Sequence, residues 1–68
     1  MKNQLRNARK KMGLTQIELA NIIGKDQATV SRYETGEMRP DVEVAPIIAR
    51  ELGISILEVL YGDKKIAA

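Results

Sequence analysis

An all-α fold of five short helices follows from three features of this 68-residue chain. Its five glycines, Gly13, Gly24, Gly36, Gly53 and Gly62, each come after a stretch of helical periodicity, where a residue in the left-handed conformation ends a helix. Thr15 with Glu18, and Ser55 with Glu58, make two capping boxes, in which a hydroxyl serves an orphan N–H of the first turn and a carboxylate reaches back to the cap. Apolar content is 44%, carried by Leu, Ile, Val and Ala with no Phe, no Trp and two Tyr, which suits a helical core better than a β-sandwich.

The first helix is predicted over residues 3–12, with Leu5, Ala8 and Met12 on one stripe and basic residues around the rest. Thr15 caps the second, on which Gln16, Leu19, Ala20 and Ile23 share a stripe before Gly24. Asp26 caps the third, which runs from Gln27 to about Glu34; Val30 and Tyr33 point one way, and Ala28 and Arg32 the other, flanked by Gln27, Thr29 and Ser31. A turn-rich connection, TGEMRPD, leads to a fourth helix with Val44, Ile47, Ile48 and Leu52 as its apolar face. Pro46 suits a first turn, so the start falls between Val42 and Ala45. Ser55 opens a short fifth helix containing Ile56, Leu57, Val59 and Leu60, which stops at Gly62 and leaves residues 63–68 as a frayed tail.

Length and composition narrow the function. The expectation is one domain over 1–68, of a size that buries only about 60% of its unfolded surface. With no cysteine and no histidine, disulfides, thiolate or imidazole metal sites and His- or Cys-based nucleophilic catalysis are excluded, and no cofactor is implied. No apolar run approaches the roughly 20 residues of a membrane span, and the N-terminal residues lack the apolar region of a signal peptide, so a cytoplasmic protein without membrane attachment is expected. Net charge is only +2 but unevenly spread: residues 1–39 hold eight Lys/Arg against four carboxylates, and residues 40–68 three against five. The basic half contains the third helix, and positive charge beside such a helix favours approach to phosphate. Taken alone, Lys2, Arg6, Lys10 and Lys11 read first as the solvated face of the first helix; beside a groove-reading third helix the order reverses and they read as phosphate-facing charge.

Residues 15–36, TQIELANIIGKDQATVSRYETG, have the layout of two helices joined by a glycine turn, the second with a polar, short-chained outer face. Gln16 opening the first of these helices, small Ala20 at its fifth position, Gly24 at the turn, and β-branched Val30 with bulky Tyr33 on the second resemble the helix-turn-helix of the phage-repressor type, the Cro and Xre group. The physical reasons stand beside the resemblance, since a side chain larger than Ala20 would push the helices apart and Gly24 permits the sharp turn. Lys25 departs from the pattern, which often has an apolar residue there; its stem could pack while the ammonium reaches water. The resemblance covers nearly the whole chain and implies a phage-repressor-like DNA-binding domain of five helices, with the helix-turn-helix formed by helices two and three.

That resemblance places the third helix in the major groove of double-stranded DNA, with Gln27, Ala28, Thr29 and Arg32 as base-reading candidates. Arg can bond guanine O6 and N7, Gln adenine N6 and N7, and the methyls of Ala28 or Thr29 can touch thymine. Phosphate contacts are expected from Gln16 with the free N–H groups at the start of helix two, from Ser31, and from Thr35 and Arg39. Arg9 and Glu34 lie at family positions that pair as buried ions, which removes Arg9 from the DNA-facing cations. Such units usually read two-fold sites as homodimers, and the contact is assigned to helix five around Leu57, Leu60 and Tyr61. Ile17 and Ile22, off the core stripe, are either ordinary surface residues or part of that contact.

The leading expectation is thus a sequence-specific transcriptional regulator, most simply a repressor. A DNA-binding antitoxin or a controller protein would share the fold, and an interaction module that does not read DNA is the alternative from another class. Nothing in the acidic or hydroxyl residues has the spacing of a catalytic site.

Overall fold

The computed structural model describes residues 4–61, except for the Tyr61 side chain. Within these residues the elements are α1 (Gln4–Lys11), α2 (Gln16–Ile23), α3 (Gln27–Thr35), α4 (Ala45–Leu52) and α5 (Ile56–Tyr61), with no strand. Gly62 and the tail 63–68, assigned above as a stop and a frayed end, lie outside the described residues.

The helix boundaries obey local chemistry. At the start of α2 the Thr15 hydroxyl accepts from the Glu18 N–H at 3.0 Å while the Glu18 carboxylate accepts from the Thr15 N–H at 2.8 Å. Ser55 and Glu58 repeat the arrangement at α5, at 3.0 and 2.9 Å. Asp26 caps α3 by accepting from both the N–H and the hydroxyl of Thr29, and these bonds, the hydroxyl first, hold its carboxyl below the usual carboxylate range. Gly24 ends α2 at φ +74°, and the N–H of Lys25 closes the turn onto the Ala20 carbonyl at 2.9 Å. Lys25 itself is exposed, as an ammonium that reaches water requires.

Helix four begins at the late end of the predicted interval. Asp41 Oδ1 accepts from the N–H groups of Glu43 and Val44, at 3.1 and 2.9 Å, and so holds residues 42–44 in a turn instead of a helix. Pro46 then falls in the first turn of α4, where its missing N–H costs nothing.

One apolar core joins all five helices. Leu19, Val30 and Ile48 are its fully buried members, and Leu5, Ala8, Ala20, Ile23, Tyr33, Val44, Ala45, Ala49, Leu52 and Val59 complete it. Each fully buried aliphatic side chain contributes about 1.5–3 kcal/mol by leaving water. Met12 is a correction: it was placed on the core stripe of helix one, but α1 ends at Lys11 and Met12 is 53% exposed in the turn that follows. Outside the core, Gln4 Nε2 donates to Glu58 Oε2 at 3.1 Å, tying the first helix to the last.

Candidate nucleic-acid interface

The candidate surface is built on the packing of α2 against α3. Ala20 of α2 is 2% exposed, so a longer side chain there would have to displace the packing around it. Val30 and Tyr33 turn inward, at 0% and 9% exposure, and burial pushes the Tyr33 phenol above its usual range. With that face buried, a helical rotation of 100° per residue leaves Gln27, Ala28 and Arg32 exposed on the opposite side. Thr29 is half-buried and its hydroxyl donates to Asp26 at 2.6 Å, so it has its methyl and an accepting oxygen to offer a base, but no donor.

Beneath this face runs a polar chain that links three helices. Arg9, 7% exposed on α1, donates through Nε and Nη2 to the two carboxylate oxygens of Glu34, 5% exposed on α3. Its Nη1 donates to the Leu14 carbonyl at 2.8 Å. Glu34 Oε1 also accepts from Gln16 Nε2 at 3.0 Å, and Gln16 Oε1 accepts from Gln27 Nε2 at 3.2 Å. Gln16 is therefore more than a polar residue at a helix end: it joins the buried ion pair to the exposed face of α3. Sequence reasoning paired Arg9 with Glu34 but missed the extension, because residues eleven and eighteen apart carry no local signature of contact.

The chain borders a groove of about 550 Å³ between α1, α2 and α3, lined in part by Arg6, Lys10, Gln16, Gln27, Ser31 and Thr35. At its edge the N–H groups of Gln16 and Ile17, the free donors of the first turn of α2, meet no acceptor among the described residues. Ser31 is half-buried in the groove wall, and the Thr35 hydroxyl donates to the Arg32 carbonyl at 3.2 Å. Arg39 is exposed in the connection after α3 and does not line the groove. The signal for Arg6, which sequence reasoning left among general basic residues, was its spacing of four from Lys10.

Away from this surface, Leu57 is 48% exposed, Leu60 is half-buried and packs against the core, and the side chain of Tyr61 lies outside the described residues. Leu60 is thus partly engaged within its own chain. Ile17 and Ile22 are exposed, at 55% and 41%.

Residues 5–59 match the family model of the helix-turn-helix described as HTH_3, of the Cro/C1 type. The chain belongs to the Cro/C1-type helix-turn-helix family. It is 38% identical over 61 residues to an HTH-type transcriptional regulator of Methanothermobacter thermautotrophicus, covering 90% of this chain and 88% of that protein. It is 33% identical over 60 residues to the antitoxin PezA of Streptococcus pneumoniae, covering 88% of this chain but only 38% of the antitoxin's length. Among solved structures it is similar to the P22 c2 repressor crystallised with a synthetic operator, with a TM-score of 0.80, 28% identity, and coverage of 90% of this chain and 92% of that one. This helix-turn-helix protein is accordingly a DNA-binding transcriptional regulator, a family defined by binding and not by catalysis. Among the described residues no helix is long and apolar enough to cross a membrane, and no group of acidic residues could hold a metal ion.

Proposed function

We propose that this helix-turn-helix protein is a repressor that lays α3 in the major groove of a two-fold operator, with Arg32 and Gln27 as its principal base-reading side chains and Ala28 and Thr29 offering methyls to thymine. The observation that carries the reading is burial of Val30 and Tyr33, which leaves Gln27 and Arg32 outward on one uninterrupted helix. The Gln16–Gln27 hydrogen bond supports it further, since a long amide held by a neighbour loses less rotamer freedom on meeting a base. Gln16, Ser31, Thr35 and Arg39 supply phosphate contacts on the two sides of the helix, and the operator-bound P22 c2 repressor has the same fold. Such a regulator acts in the cytoplasm, where a promoter-overlapping site is blocked by occupancy alone.

Selection of bound duplexes from a random pool tests this directly. The expected outcome is a short, symmetric pair of half-sites centred about 34–36 Å apart. On that duplex Arg32→Ala should lose about 1–3 kcal/mol of discrimination at particular base pairs and leave the others unchanged. Recovery of no consensus would overturn the reading in favour of an interaction module, and a uniform effect of Arg32→Ala at every position would move Arg32 from base reading to phosphate contact.

A second reading has its own support. The likeness to the antitoxin PezA spans nearly all of this chain, so a DNA-binding antitoxin module is retained as the alternative within the same fold. Co-purification of a stoichiometric partner toxin distinguishes it from a free-standing repressor.

A further inference from the structure

The cations of α1 do not form one solvated face; the fold sorts them. Arg9 is turned inward and neutralised by Glu34. Arg6 and Lys10, one helical turn apart, share a face that lines the groove holding Gln16, Ser31 and Thr35. Lys11 faces a different groove, with Asn7, Leu52 and Ile54, about 100° around the helix. Arg6 is exposed and makes no hydrogen bond or ion pair with any described residue, in contrast to Arg9.

We propose that Arg6 grips a backbone phosphate of the DNA at the rim of this groove, and that Lys11 does not. The proposal rests on the DNA-binding reading above and adds α1 to the surfaces that hold the duplex. Three observations converge on a phosphate. The groove edge presents the N–H groups of Gln16 and Ile17, unpaired among the described residues, which attract an anion at a helix start. The carboxylate lining the groove, Glu34, already accepts from Arg9 and Gln16, so its charge does not oppose a second anion as a free carboxylate would. The planar fork of a guanidinium matches phosphate oxygens, and Arg6, which meets no partner among the described residues, can offer it. Lys10, which lines both grooves, adds charge there.

Arg6→Gln and Lys11→Gln, each an exposed change on α1, separate this contact from general charge. Binding to a selected duplex is measured across a salt series, with thermal melting of each variant as a folding control. Arg6→Gln should make the log affinity against log salt plot shallower by about 0.9 for each half-site occupied, the contribution of one phosphate per copy, while preserving the ranking of half-site variants. Lys11→Gln should overlay the wild-type line. A duplex carrying one neutral methylphosphonate at the gripped position should weaken the wild-type protein more than Arg6→Gln, which keeps only the α2 N–H groups to lose their anion. If Arg6→Gln keeps the wild-type slope, or Lys11→Gln loses as much, the assignment to Arg6 is overturned while DNA binding stands. If the wild-type protein recovers no duplex with log-linear salt dependence, the DNA reading falls and takes this contact with it.

Discussion

Arg9 and Glu34 show how one pair of side chains can set both stability and the surface around it. Both are almost fully buried, and every polar atom of the pair that the interior covers has a partner, so neither charge is left uncompensated. Removing one member alone strands the other. Arg9→Ala or Glu34→Ala should cost on the order of 3–5 kcal/mol in urea unfolding, a large part of the stability of so small a domain. Replacing both with apolar residues of similar volume, Arg9→Met with Glu34→Leu, should recover most of that loss, because no buried charge then lacks a partner. A double variant as unstable as the sum of the two singles would show that the pair contributes through something other than mutual neutralisation. Glu34→Leu also removes the acceptor of Gln16, so the double variant should regain stability more fully than DNA affinity.

Between elements, the decisive contact is α2 against α3. Ala20 of α2 is 2% exposed, and the Gly24 turn leads from α2 to α3. Added methylenes at that point have nowhere to go without displacing the packing around them. Ala20→Leu should destabilise the protein by about 1–3 kcal/mol, and any folded fraction should bind DNA more weakly because α3 is displaced. The comparison that tests this is Ile22→Ala, on the exposed side of the same helix, which should leave both melting and binding near wild type. Equal effects from the two substitutions would mean that close approach at Ala20 is not what positions α3. Gly24 acts differently: an added Cβ would meet nothing within 4 Å, so its role is the positive φ, not space.

For the molecule as a whole, the two-fold operator proposed above requires a surface through which two copies meet. Ile56 and Leu57 stand side by side at 45% and 48% exposure on α5, on a helix already anchored to α1 through Gln4 and Glu58. A dimer contact there would cover apolar surface and leave α3 free. Leu57→Lys should then abolish the second, cooperative step on a duplex with two half-sites while leaving affinity for a single half-site unchanged, and light scattering of the protein–DNA complex should fall from two chains to one. Retained cooperativity in that variant would move the contact elsewhere, with exposed Ile17 and Ile22 the next surface to test.

The order and type of the helices were legible in the sequence because their signals are local: capping boxes span four residues, the turn glycines sit at their own positive φ, and Val30 with Tyr33 differ by one helical turn. The family resemblance further paired Arg9 with Glu34 across 25 positions. Three matters needed the folded chain. Met12 left the core because α1 stopped a residue before it, and α4 began at Ala45 because Asp41 held the preceding turn. The chain from Glu34 through Gln16 to Gln27, and the division of the α1 cations between two grooves, depend on helices meeting in space. Periodicity states which face of a helix is apolar, but only tertiary packing decides which polar groups from separate helices come within 3 Å of one another, and that is where the recognition surface is made.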